Sequence, residues 1–452
     1  MTRTRISMRD IARWCLLHVQ KQDMHQLLLS VAFGTLLLVT GCSTAVIRQQ
    51  DSLFPSPVAY VTAGPLPVSS PTPTLAPVEQ PTAVPPTASP KKLPIDSTAA
   101  IGIWSDIITS ANVFTGVVDL GTGNAIRQVQ QSNLAFVSMA RRQVTSGFGS
   151  IITDVQSNHA NWLLYDKNAK LVFSSRSSGE PLLNIREEEI KIQIADDIVK
   201  SVQEGSYDGI LLDNVGIDLI RVKDTPVYTG TKAFTPEQRK NTVEGLLRTI
   251  RARMPSQLMI IGGYAWEDGG AFNANISDAQ ELATLGDGVH IDKFLRAPIS
   301  PTTEYKSESI WKKDIDYLAA ISQDGKIVLV TTRISSSDVN TDTAKQWLYY
   351  SVASYLLGKN GPRTYFQFDV GGSLQYASDP VLTLPIGAPQ EAYTKLSSGL
   401  YRRMFSNGIV LVNPTTEEKE SEMDADYRLP GGTEIIKKIT LPAHTGTILL
   451  KP

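Results

Sequence analysis

The stretch "SYDGILLDNVG" (206–216) runs from an Asp-Gly pair through Ile210, Leu211 and Leu212, then stops on an acid, Asp213, followed at once by Asn214. A short apolar run bounded by Gly and a charge reads as a strand buried on both faces, the kind found in parallel sheets. A strand of that kind delivers its terminal carboxylate to the end of the sheet. The plainer reading is an aspartate that caps a helix or closes a turn. A second phrase, "GDGVHIDKFLR" (286–296), repeats the order: Asp287-Gly288, then a run broken only by His290, then Asp292.

Outward from these phrases, short apolar runs alternate with longer amphipathic segments. The predicted strands are 101–104, 134–139, 162–165, 210–213, 258–262, 288–292, 327–332 and 364–369. Between them, "NIREEEIKIQIADDIVKSVQEG" (184–205) carries Ile185, Ile190, Ile194 and Ile198 close to one helical face, with Glu187, Glu188 and Glu189 at the end where the helix dipole favours acids. "TPEQRKNTVEGLLRTIRARM" (235–254) places Pro236 at a first helical position. "TDTAKQWLYYSVASYLLGKNG" (341–361) ends on Gly358 and Gly361.

Eight β–α repeats in about 285 residues match an α/β fold of the (β/α)8 TIM-barrel type, typically about 250 residues long. A doubly wound open sheet would call for a Gly-rich phosphate loop after a strand, and neither GxGxxG nor GxxxxGK occurs. Past residue 395 the pattern turns to short strands with turn residues and no helices, a small β-sandwich-like domain.

In a TIM barrel the active site lies at the carboxyl ends of the strands. Asp213 and Asp292 both end predicted strands there. Two carboxylates at one mouth are the equipment of glycoside hydrolysis, one as acid/base and one as nucleophile or base. Asn214 reads as a sugar-hydroxyl ligand, an orienter of Asp213, or a turn residue. His290 alternates with Asp292 and so shares its inward face; it tunes the acid or is a hydrogen-bonded core histidine. Tyr165 and Asp166 end the third predicted strand, where they would line a sugar subsite. "IIGGYAWEDGG" (260–270) adds Tyr264 and Trp266 as surfaces for sugar rings and Glu267 as the rival second carboxylate. Trp104, Asp106 and Asp369 read as rim or core.

The head resembles glycosyl-hydrolase-like family 15, more distantly related to galactosaminidase-type barrels. The resemblance rests on "NWLLYDKNAKLVF" (161–173), "YDGILLDNV" (207–215), "LGDGVHIDKF" (285–294) and "YRRMFSNGIVLVNP" (401–414), in order over about 300 residues. It implies a TIM barrel, a small C-terminal β-domain and an extracytoplasmic polysaccharide substrate. It places Asp213 as the acid after the fourth strand and Asp292 as the second acid, where the family pattern carries Glu.

The amino terminus has its own logic. Arg3, Arg5, Arg9, Arg13 and Lys21 precede the apolar run "LLLSVAFGTLLLV" (27–39), too short to span a membrane and built like a secretory signal. Val39-Thr40-Gly41-Cys42 resembles a bacterial lipobox, which implies lipidation of Cys42. Translation from Met24 would keep the same lipobox. Twelve prolines between 55 and 94, spaced by Thr, Ser and Ala, favour an extended, disordered stalk. The expected organisation is a lipoprotein signal over 1–41, a lipidated Cys42 and linker over 42–98, a barrel over 99–394 and an all-β domain over 395–452.

Composition narrows the alternatives. A net charge of −2 without a basic, aromatic-interleaved stripe leaves nucleic-acid binding no electrostatic footprint. With two cysteines and five histidines in 452 residues, none of the three histidines beyond position 41 paired at helical spacing, neither a disulfide scaffold nor a zinc site of His/Cys type is expected. No cofactor is expected. The expected partners are a polysaccharide or oligosaccharide substrate and, through the lipid, a membrane, with the head extracytoplasmic. The sequence thus reads as a glycoside hydrolase; the alternative is a catalytically inactive carbohydrate-binding or envelope lipoprotein on the same barrel.

Overall fold

The computed structural model describes residues 101–106, 120–122, 137–144, 147, 152–173, 180–213, 215, 228–229, 232–233, 236–263, 276–337, 339–373 and 375–452. Eight parallel strands close into a barrel. In chain order they are β1 (Gly102–Ser105), β2 (Leu120–Thr122), β3 (Val137–Gln143), β4 (Gly209–Asp213), β5 (Leu258–Gly262), β6 (Gly288–Ile291), β7 (Ile327–Ile334) and β8 (Thr364–Val370). Each pairs with its neighbours in sequence, and β1 closes the ring on β8, Gly102 opposite Tyr365.

Seven of these strands coincide with predicted runs, and one does not. The run 162–165 is no barrel strand: Trp162 ends a short 3-10 turn, and Leu163 and Tyr165 form isolated antiparallel bridges to Leu183 and Leu171. It is an excursion between β3 and β4. Burial of Trp162, Leu163 and Leu164 imitates a strand's apolar run. The missing strand is β2, three residues that pair with β1 on one side and β3 on the other.

The repeated Asp-Gly phrase has one structural cause in both copies. Asp208 Oδ2 accepts the Ser138 amide of β3 at 2.9 Å, and Asp287 Oδ2 accepts the Met259 amide of β5 at 2.8 Å. Each aspartate thus pins the strand that precedes its own in the ring. The glycine that follows lies against the next strand. A Cβ on Gly209 would stand 2.3 Å from the Leu258 carbonyl oxygen, and one on Gly288 2.2 Å from that of Ile327. These contacts are with backbone, which cannot swing aside. Gly288→Ala is therefore expected to cost about 1–3 kcal/mol, the range of an overpacked core, read as a lower denaturation midpoint with an unchanged slope. A midpoint equal to wild type would mean that the barrel has slack at this end.

Helices fill the outer ring: α1 (Ile152–Asn158) and α2 (Glu188–Glu204) before β4, α3 (Pro236–Arg253) before β5, α4 (Ile276–Ala283) before β6, α5 (Glu308–Gln323) before β7 and α6 (Thr341–Gly358) before β8. In α2 the buried face is Ile190, Ile194, Ala195, Ile198 and Val202, with Glu188 and Glu189 in the first turn as the dipole favours. Helix α6 is buried on all sides from Tyr350 to Gly358. The reason lies in the C-terminal strands.

These are β9 (Thr394–Lys395), β10 (Tyr401–Phe405), β11 (Gly408–Asn413), β12 (Lys419–Tyr427), β13 (Ile436–Leu441) and β14 (Thr445–Leu450). They form an antiparallel sheet, β9-β10-β11-β14, and a hairpin, β12-β13. Val410, Val412 and Ile448 on one face of the sheet join the core that holds α6. Leu411 and Leu449 on the other face meet Tyr427 and Leu441 of the hairpin, giving the second layer of a small sandwich. Arg403 of β10 ties the two parts together: its Nη1 donates to the carbonyls of Leu356, Leu357 and Lys359 at 3.0, 2.8 and 2.7 Å. Those are carbonyls at the end of α6, which lack helical partners and carry the negative pole of the dipole.

Candidate active site

Alternation along the strands sorts side chains into two sets. Trp104, Leu120, Val137, Met139, Leu211, Leu258, Ile260, Ile327, Leu329 and Tyr365 form one closed apolar cluster, the filled barrel interior. The residues between them, such as Ile210, Leu212, Val289, Val330 and Phe366, pack outward in the helix-facing core. Extending the inward set by twos toward the carboxyl ends gives Asp106 after β1, Arg141 on β3, Asp213 on β4, His290 and Asp292 at β6, Thr331 and Arg333 on β7, and Gln367 and Asp369 on β8. The apolar interior therefore ends in a polar layer at the mouth.

That layer is one connected network. Arg141 donates from Nε to Asp213 Oδ2 at 2.9 Å and from Nη2 to the same oxygen at 2.5 Å. Its Nη1 reaches Asp106 Oδ2 at 2.8 Å. On the other side Arg333 Nη2 donates to Asp106 Oδ1 at 2.6 Å and Nε donates to Asp369 Oδ2. Arg333 Nη1 also lies 3.8 Å from Asp292 Oδ1. Gln367 completes the cradle of Asp106, donating to Oδ1 at 2.7 Å and accepting the Asp106 amide at 3.0 Å. One aspartate thus clamps two arginines, and each arginine reaches a different strand-end aspartate.

Depth separates the four acids into two kinds. The side chains of Asp106 and Asp369 are 0% exposed, whereas Asp213 keeps 10% and Asp292 15%. The first two are closed off from solvent, and the second two keep some exposure at the mouth. Burial works against the Asp106 charge, but Arg333 and Arg141 outweigh it and bring its pKa down to about 2. At Asp369 burial prevails over the pull of Arg333, and the pKa is raised. Although burial opposes their charge as well, the surrounding carboxylates raise both arginines above the ordinary guanidinium value, Asp213 leading for Arg141 and Asp106 for Arg333. Asp213 and Asp292 belong to one electrostatic unit, since Arg141 and His290 each feel both.

His290 sits beneath Asp292, 1% exposed. Its Nε2 lies 3.1 Å from Thr331 Oγ1 and 3.7 Å from Asp292 Oδ1, and its ring meets Trp104 edge-on at 4.6 Å. Burial lowers its pKa, which favours the neutral imidazole. His290 Nδ1 and Asp292 Oδ1 are buried without a hydrogen-bond partner among the described residues.

Tyr165 and Asp166 are placed elsewhere in the chain's path. Asp166 closes a turn in the 162–173 excursion, accepting the amides of Asn168 and Lys170 at 2.8 and 2.9 Å, which holds its carboxyl below the usual range. No contact joins either residue to the mouth network among the described residues. Asn214, Tyr264, Trp266, Glu267 and Cys42 lie outside the described residues. No cluster of potential metal ligands occurs among the described residues, and none of their helices is long and apolar enough to cross a membrane.

Sequence reasoning missed Arg141 and Arg333 altogether and set Asp106 and Asp369 aside as rim or core. The available signal was parity. Predicted strands ended at Met139 and Thr332, but β3 runs on to Gln143 and β7 to Ile334. Counting two beyond Met139 reaches Arg141, and two beyond Thr331 reaches Arg333.

A barrel of eight parallel strands with acids at its carboxyl-end mouth is the architecture of many glycoside-hydrolase-type proteins. The model of hypothetical glycosyl hydrolase family 15 matches residues 130–409. The chain belongs to that family. Among solved structures, it is similar to the glycoside hydrolase domain of PelA from Pseudomonas aeruginosa, at 9% identity and a TM-score of 0.41 over 61% of this chain and 95% of that one. It is similar to Ega3 of Aspergillus fumigatus in complex with galactosamine, at 12% identity and a TM-score of 0.40 over 63% and 96%. An Anoxybacillus alpha-amylase follows at 12% and 0.41, over 78% and 88%. No curated protein matches the chain.

Proposed function

We propose that the protein is a glycoside hydrolase acting on a cell-envelope or extracellular polysaccharide, with Asp213 and Asp292 as its carboxylate pair. The observation that carries this reading is the pairing of two partly exposed strand-end aspartates with two arginines clamped on one buried acid. Arg141 on Asp213 Oδ2 favours the anionic carboxylate, which suits the group that attacks the anomeric carbon or activates the attacking water. Asp292, whose side chain keeps 15% exposure at the mouth, is the candidate for the group that protonates the departing glycosidic oxygen. Aspartate at 292, one methylene shorter than the Glu expected from the resemblance, favours a wide pair, and so either inversion or a loop that closes the gap.

The test is release of reducing ends from a panel of amino-sugar and neutral polysaccharides by the full-length chain, with the product anomer followed by NMR. Cleavage that Asp213→Asn removes supports the reading. Binding without cleavage across the panel would favour the inactive carbohydrate-binding alternative, which the aspartate at 292 keeps in view.

The reading extends to location. A lipid on Cys42 and a stalk over 42–98 would hold a barrel (99–394) and an all-β domain (395–452) outside the cytoplasm. Cys42→Ser is expected to shift the protein from the membrane fraction to the soluble one, because a lipid would then be its only anchor. Retention in carbonate-washed membranes would refute the anchor.

A further inference from the structure

A second polar feature lies away from the mouth network, in the segment that leads from β6 to α5. Arg296 is 2% exposed, yet its Nε and Nη1 have no hydrogen-bond partner. Its Nη2 donates to the Ser300 carbonyl, and its guanidinium lies 4.6 Å over the Trp347 ring. No carboxylate makes an ion pair with it among the described residues. The neighbouring cation, Lys306, is already matched by Asp314 at 2.8 Å. A buried cation is costly, and burial lowers the Arg296 pKa even though the nearby Tyr305 and Glu304 pull the other way.

The same arginine lines a cavity of about 320 Å³ together with Ser300, Glu304, Tyr305, Lys306 and Ser307, at the small end of the range for ligand sites. Ser307, which lines the cavity, is the N-cap of α5 and makes no side-chain cap bond, so the positive pole of a 16-residue helix borders the cavity. The acid of that first turn, Glu308, is turned to Lys395 and Tyr401. Tyr305 is held flat between Trp347 and His444, with ring centroids 4.4 and 4.1 Å away. The lining comes from the 295–310 segment, and Tyr305 is held in place by rings from outside that segment.

We infer that this cavity is an anion site, taking a carboxylate- or phosphate-bearing group whose charge is balanced by Arg296 and the amino end of α5. Glu304 is the opposing charge on its rim and sets an upper limit on affinity. The inference stands apart from the glycosidase reading and needs no turnover to test.

The full-length chain is titrated with inorganic phosphate, D-glucuronate or glucose, against chloride at equal ionic strength, and followed by thermal melting and calorimetry. Phosphate or glucuronate is expected to raise the melting temperature saturably, while glucose and chloride do not. Tighter binding of phosphate identifies a phosphate-bearing ligand, and tighter binding of glucuronate an acidic sugar. Arg296→Leu should weaken binding by roughly tenfold or more, the worth of a charge-assisted hydrogen bond. Glu304→Gln should tighten it. Ile310 also lines the cavity, and Ile310→Trp, which narrows it while keeping the guanidinium, should abolish binding even if Arg296→Leu fails to fold. An anion effect no larger than chloride's, or one that survives both Arg296→Leu and Ile310→Trp, would overturn the proposal.

Discussion

Asp213→Asn is expected to lower kcat/KM by about 10³-fold or more, the scale of losing a group that acts as acid, base or nucleophile. Asp292→Asn should do the same through proton delivery, whereas Glu267→Gln should leave turnover close to wild type. The two aspartate variants should differ in stability. Asp213 is bound to Arg141, so its loss strips one partner from a guanidinium that keeps Asp106. The Arg141 side chain is 36% exposed, so water offsets much of that loss, and about 1 kcal/mol is the expected cost. Asp292 makes no hydrogen bond through Oδ1, and its variant should melt near wild type. Rates on the first substrate that the panel identifies, set beside thermal melts of the same samples, decide this. Turnover retained by Asp213→Asn would remove it from the chemistry, and turnover lost in Glu267→Gln would move the second role to the segment after β5.

The largest loss of stability is expected at Asp106. Its side chain is wholly buried and is shared by Arg141 at 2.8 Å and Arg333 at 2.6 Å. Asp106→Asn keeps the shape but leaves two partly buried guanidiniums facing a neutral amide, at an expected cost of about 3–5 kcal/mol. The variant should also lose turnover, because both arginines that reach Asp213 and Asp292 lose their common anchor. The pH dependence has a definite sign. The folded Asp106 pKa, about 2, lies below its ordinary value of 3.8, so the stability it contributes is present in full above about pH 4. That contribution falls away as pH drops toward 2, where the folded carboxyl takes up its proton. A difference of that size corresponds to on the order of 2 kcal/mol. Melts between pH 7 and pH 2.5 should show the gap between wild type and Asp106→Asn narrowing only below pH 4. A gap that stays constant with pH, or a variant as stable as wild type at pH 7, would contradict the clamp.

Much of the architecture is legible along the chain because its causes are local. Ile210–Leu212 is apolar on both faces, and a strand covered by helices outside and by a filled interior inside has to be. Asp208-Gly209 and Asp287-Gly288 repeat because each must pin one neighbouring strand and admit another. Glu188 and Glu189 open α2, Pro236 opens α3, and the strands after Thr394 alternate and turn without helical period. Asp213 and Asp292 can be picked out by the same logic, since the end of a buried strand is the one place where its charge finds water.

Other features have causes that lie far apart in the chain. Leu120-Gly121-Thr122 is too short to show a period, and it is a strand because β1 and β3 leave one place between them. Trp162 to Tyr165 has a strand's composition, yet it is held in an excursion by Leu171, Leu182 and Leu183. Arg141 and Arg333 read locally as charges beyond a strand's end, where solvent is the default. They join the network at the mouth because barrel closure brings Asp106 to Arg333 across 227 positions and Asp213 to Arg141 across 72. Coulomb attraction depends on distance in space, and only the closed ring sets that distance.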